Sequence, residues 1–130
     1  MIPTYRAKSN ERKNTYVEGL LIGVDEELNL CTIRTKDDYI GGEICYLDTL
    51  SINFPNMTDV KGNKIFASLN EEGRGGDILF DMEYEYTLFF DGYKFNLQGI
   101  FSQSEYGKYD SWKKFKTIGI EEWKQYLYYY

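Results

Sequence analysis

The residues from Asn70 to Asp77 read Asn-Glu-Glu-Gly-Arg-Gly-Gly-Asp, the chain's closest grouping of groups able to bind or react. Three glycines around one cation, Gly73-Arg74-Gly75-Gly76, describe a loop able to wrap an anion, with the planar Arg74 fork pairing phosphate oxygens. The segment lacks the Gly-Lys-Ser/Thr of a Walker loop, and Ile78-Leu79-Phe80 behind it reads as a strand rather than a helix N-terminus. Asn70, Arg74, Gly75, Gly76 and Asp77 are therefore the candidate binding residues for a small anionic, nucleotide-like ligand. A second grouping is carboxylic: Glu71, Glu72, Asp77, Asp81, Glu83 and Glu85. Metal-dependent hydrolysis by Asp77 and its neighbours would need several of these to converge on one ion. Glu83 and Glu85 alternate with Tyr84 and Tyr86, so the simpler expectation is the wet face of one strand.

Absences narrow the chemistry further. The 130 residues contain no histidine, which removes Ser-His-Asp and Cys-His nucleophilic systems, histidine general bases and histidine-ligated metals together. Cys31 and Cys45 are too few for a four-cysteine zinc site, and both lie in apolar runs where a thiol acts as a small buried hydrophobe. They can bridge only if their strands pair, which a reducing cytoplasm disfavours. No catalytic residue, metal site or cofactor is assigned. Fifteen basic against 21 acidic residues leave a net charge of −6, which argues against a general nucleic-acid binder. The cluster Lys113, Lys114 and Lys116 beside Trp112 and Phe115 reads as one solvated face. No apolar run approaches the ~20 residues that span a bilayer, and Met1 to Arg6 carry no signal-like apolar core, so a cytoplasmic protein is expected.

Aromatic residues are the compositional outlier. Thirteen tyrosines, eight phenylalanines and two tryptophans exceed what a domain this size buries with every hydroxyl satisfied. Exposed tyrosine is common at subunit and partner interfaces. The candidate interface residues are Tyr84, Tyr86 and Tyr93 in one segment and Tyr126, Tyr128, Tyr129 and Tyr130 in the C-terminal tail.

The elements that must carry these groups are mostly strands. Short apolar runs recur every 8 to 15 residues between charged or glycine-bearing turns. Strands are expected over 2–8, 15–24 (bent at Gly19 and Gly23), 28–35, 43–54 and 64–68. Two aromatic-rich runs, 84–90 and 93–97, flank Asp91-Gly92 and predict a hairpin with a two-residue type I′ turn. Ile120, Trp123, Tyr126 and Leu127 recur at helical spacing behind Glu121 and Glu122, which predicts a short C-terminal helix. The fold class is thus mainly β: a small antiparallel barrel or sandwich, β-rich over 1–104, with a helical addition at about 110–130 in one domain.

The stretch Asp59-Val60-Lys61-Gly62-Asn63-Lys64-Ile65-Phe66, with Gly75-Gly76-Asp77-Ile78-Leu79 after it, resembles the YopX family of phage and prophage proteins. The opening Ile2-Pro3-Thr4-Tyr5-Arg6-Ala7 is similar to the Lys/Arg-Phe/Tyr-Arg-Ala start of that family, and Thr117-Ile118-Gly119-Ile120 to its Ile-Gly-Asn-Ile element, without the asparagine. One departure stands out: family members join the two parts of the motif through a single residue, whereas 67–75 intervene here. The resemblance implies a phage-encoded, β-rich protein, oligomeric in some relatives, with no established activity. The residues also have a local reading, Asp59 capping a turn through Gly62-Asn63 into the next strand. Together these readings predict a non-enzymatic accessory protein that self-associates or binds a host protein. The alternative is a counter-defence protein sequestering a small anionic molecule through the flexible 70–77 loop.

Overall fold

The computed structural model describes residues 2–36, 41–99, 103–106 and 111–122, with backbone alone for 103–106. The strands are β1 (Thr4–Lys8), β2 (Tyr16–Asp25), β3 (Leu30–Arg34), β4 (Glu43–Tyr46), β5 (Ser51–Asn53), β6 (Ala67–Ser68), β7 (Asp77–Phe80), β8 (Glu85–Phe90), β9 (Phe95–Gln98), β10 (Gln103–Tyr106) and β11 (Lys116–Ile120). Single 3₁₀ turns occupy Leu47–Thr49 and Trp112–Lys114. The strands run in the order β10-β9-β8-β6-β5-β1-β2-β3-β4, and β7 and β11 branch off at β8. All pairings are antiparallel except the single contact of β6 with β8. The protein is mainly β, with one curled, half-barrel sheet and no long helix among the described residues. No helix there is long and apolar enough to cross a membrane.

Alternation along the strands creates two apolar clusters. Ala7, Val17, Cys31, Ile33, Cys45 and Leu50 fill the curl of β1–β4. That curl is drawn together by a bridge from Ser9 to Cys45 at the outer edge of β4. Ile52, Met57, Ile65, Ala67, Leu79, Leu88, Leu97 and Phe115 form the other, larger cluster, and Tyr5 packs against both. Full burial of one such large side chain is worth about 1.5–3 kcal/mol, so these clusters dominate the folding drive. Cys31 stands directly opposite Cys45 in the β3–β4 ladder; both are buried free thiols, and burial pushes them up to about 11 and about 12.

The bend expected in β2 is a register irregularity between Leu21 and Gly23. Other expectations need correction. The apolar run 43–54 is not one strand, because the 3₁₀ turn at Leu47–Thr49 separates β4 from β5. Only Ala67 and Ser68 of 64–68 join the sheet. The 84–97 hairpin forms, but its turn lies one residue later than expected: Asp91 N–H donates to Lys94 O at 3.3 Å, leaving Gly92 and Tyr93 between them. Only Gly92 has positive φ, while the Asp91 carboxylate accepts the Tyr93 and Lys94 N–H groups, so a side chain replaces the type I′ geometry. Residues 116–120, assigned to the helical addition, instead form β11, because pairing with β7 satisfies their backbone. The predicted helix beyond Glu122, with Tyr126, Tyr128, Tyr129 and Tyr130, lies outside the described residues.

Candidate functional site

Arg6, Ser51 and Ser68 stand side by side across β1, β5 and β6, on the sheet face opposite Tyr5, Ile52 and Ala67. The two serines are small enough for another layer of chain to approach, and segment 69–77 supplies it. Ser68 Oγ donates toward Arg74 O at 2.9 Å and accepts the Asn70 N–H at 3.0 Å. Gly75 has φ +85°, and a Cβ there would lie 1.9 Å from Thr49 O, so only glycine fits. Gly75 N–H donates to Glu121 O at 2.6 Å and Glu121 N–H to Gly76 O at 2.8 Å, which ties the loop to the end of β11. The expected flexible loop is therefore a packed layer, with Gly73, Gly75, Gly76 and Asp77 all buried.

Beneath it lies a buried ion pair. Arg6 Nη2 donates to Asp77 Oδ1 at 2.9 Å and to Gly75 O at 2.7 Å. Asp77 Oδ2 accepts the Phe66 N–H at 2.8 Å, and the Arg6 guanidinium stacks 4.4 Å from the Phe66 ring centroid. The two side chains are only 8% and 5% exposed. Burial pushes the Asp77 carboxyl above its ordinary range, and the Arg6 charge and the Phe66 N–H pull it part of the way back. This arrangement fixes backbone; it leaves neither group facing solvent as a nucleophile or base.

Arg74, the proposed anion-binding cation, already has a counter-charge: Nη1 lies 2.6 Å from Asp48 Oδ2. Both line a small polar hollow of about 320 Å³ with Lys8 and Glu122. Glu122 in turn accepts from Tyr16 Oη at 2.7 Å and from Lys8 Nζ at 3.3 Å. That contact and burial push the Tyr16 hydroxyl well above its ordinary pKa, burial contributing most. Asn70 sits at the rim of the loop, its Oδ1 accepting the Glu72 N–H at 2.7 Å. The carboxylates do not gather: among the described residues no three His, Cys, Asp or Glu side chains are placed to share a metal ion.

Asp59 is the other organising carboxylate. Fully buried, it accepts N–H groups of Lys61 and Asn63 at 2.9 and 2.8 Å, and both the N–H and Oγ1 of Thr117 at 3.1 and 2.7 Å. Burial alone would raise its pKa, but these donors win and hold it at about 2. The expected turn cap is thus also a clamp from the 59–63 turn to β11, with positive φ at Gly62 and not at Asn63.

The aromatic candidates divide. Tyr84 and Tyr93 are 58% and 95% exposed, while Tyr86 is half-buried and packs edge-on against buried Phe115. Tyr84 stacks edge-on against Tyr86, so a column of rings leads from the core to the surface at the β7–β8 turn. Met82 in that turn is 80% exposed and has φ +78°, while the Asp81 carboxylate holds the turn by accepting the Glu83 and Tyr84 N–H groups. Glu83 belongs to this turn rather than to the strand.

Sequence reasoning missed Asp48 and Glu121, and it met Arg6 only as part of the resemblance. Alternation in β1 does place Arg6 opposite Tyr5 and Ala7. Nothing local indicates a partner 71 residues away.

The fold and this seam define a β-rich domain in which buried polar residues hold the 69–77 loop against a curled sheet. Compared with protein-family models, with curated proteins and with solved structures, the chain matches none.

Proposed function

We propose that this protein is a non-enzymatic interaction module, a phage- or prophage-encoded accessory protein of the kind the YopX resemblance implies, acting through protein contact. The observation that carries this reading is the exposed Met82–Tyr84 pair, 80% and 58% exposed on a turn pinned by Asp81. A side chain held at φ +78° costs on the order of 1 kcal/mol, and such conformations concentrate at binding sites. Tyrosine, with two side-chain torsions, loses little freedom on docking, and the flexible methionine thioether adapts its shape to a partner. The reading extends to self-association or to a host protein in the bacterial cytoplasm. Capture of an anionic molecule by residues 70–77 has less support, because Arg74 is neutralised by Asp48 and Gly75, Gly76 and Asp77 are buried.

The test is light scattering on the purified chain across a concentration series, with affinity capture from bacterial lysate in parallel. Association, or a stoichiometric captured protein, is expected for the wild type and lost in the Met82→Ser, Tyr84→Ser double variant. A monomer with no partner, or contacts unchanged by the double variant, defeats the proposal.

A further inference from the structure

A hollow of about 770 Å³, which shares no lining residue with the 69–77 layer, lies where β2 changes partners. Strand β2 pairs with β1 through Tyr16–Gly19 and with β3 from Leu20 onward. The change requires close backbone approach: a Cβ on Gly19 would stand 2.1 Å from Arg34 O. Leu20 faces Arg34 across the β2–β3 ladder, and Glu18 faces Arg6 in the neighbouring register, so Glu18, Leu20 and Arg34 all project from the face opposite Val17 and Ile33. Ile2 and Pro3 form an apolar wall.

Two properties of this hollow point to a ligand. It exposes apolar surface, with Leu20 at 48% and Ile2 at 74%, that a complementary molecule would remove from water. Among the described residues its lining is also cationic, in a chain of net charge −6: Arg34, Lys36 and Lys64 face one carboxylate, Glu18. Glu18 neutralises little of this, since its contact with Lys64 is 4.0 Å long and both side chains are about half exposed (48% and 51%). The Arg34 fork is oriented by its Nε donating to Gly41 O at 2.9 Å. The volume falls within the ~300–1,000 Å³ typical of small-molecule sites.

We infer that this hollow binds a small amphipathic anion, a single alkyl chain ending in a carboxylate or phosphate. The chain lies along Ile2, Pro3 and Leu20, and the head group meets Arg34, Lys36 and Lys64. This site is separate from the Met82–Tyr84 contact surface and stands or falls independently of it.

The test uses decyl phosphate and decanoate, each below its micellar concentration, titrated into the full chain by calorimetry and by amide chemical-shift mapping. Saturable binding of one molecule per chain is expected, with shifts at Thr4, Gly19, Leu20 and Arg34. Decyl phosphate binding alone would identify a phosphate head group, and equal binding of both a general anion site. Inorganic phosphate and the cationic decyltrimethylammonium should bind far more weakly. Leu20→Ser should weaken decyl phosphate about tenfold, the loss expected for one exposed apolar contact. Lys36→Gln with Lys64→Gln should weaken it and flatten its salt dependence, and Lys113→Gln, outside the hollow, should not. Because the substituted side chains are exposed, the variants should keep the wild-type amide spectrum elsewhere. No saturation, shifts confined to other residues, or equal binding of the cationic amphiphile would overturn the inference.

Discussion

Removing the Asp77 charge should be among the most damaging single changes this protein can suffer. In Asp77→Asn the new amide has one acceptor where the carboxylate had two. Either the Phe66 N–H or the Arg6 guanidinium then faces a donor. The Arg6 charge, in a residue only 7% exposed, is left without its counter-ion. Breaking a buried pair from one side costs about 3–5 kcal/mol, a large part of the ~5–15 kcal/mol that holds a domain together. With a urea m-value of roughly 2 kcal/mol/M, the unfolding midpoint should fall by on the order of 2 M. Arg6→Met should lose a similar amount, because it leaves a buried carboxylate and deprives Gly75 O of its donor. The double variant Arg6→Met, Asp77→Asn removes both charges and keeps an acceptor for the Phe66 N–H. It should therefore be less destabilised than the sum of the two, by at least about 2 kcal/mol. Urea denaturation followed by tryptophan fluorescence and far-UV circular dichroism measures all four proteins. Single losses below about 1 kcal/mol, or losses that simply add, would refute a dry, mutually dependent pair.

Gly75→Ala combines a forbidden φ with a Cβ 1.9 Å from Thr49 O, so it should release the 69–77 layer from the sheet; amide exchange at Gly75, Gly76 and Asp77 matching wild type would count against that packing. Asp59 is held at about 2 against an ordinary 3.8, so its share of stability is full above about pH 4 and lost as the pH falls toward 2. Urea midpoints measured from pH 6 to pH 2 should drop through that window, and the Asp59-dependent part of the drop should vanish in Asp59→Asn. An Asp59→Asn curve parallel to wild type throughout would show that other groups govern acid unfolding.

What sequence alone determined was local. Alternation and turn residues require neighbours only a few positions apart, so β1, β2, β3 and the β8–β9 hairpin were legible, as were the β2 irregularity and the Asp59 cap. The same locality misjudged residues whose partners are remote. Gly73 to Asp77 look mobile in sequence because glycines lower local order. They are packed because Thr49, Ser68, Glu121 and Arg6 converge on them from four other parts of the chain. Residues 116–120 lack a strong strand pattern of their own and become β11 by pairing along the open edge of β7, which satisfies backbone groups of both strands. Arg74 shows the difference most clearly. Its type and glycine neighbours promise an anion site, whereas the tertiary structure sets Asp48 beside it at 2.6 Å. Backbone propensity acts over a few residues, whereas which charge meets which is decided only when the folded sheet excludes water and brings distant strands together.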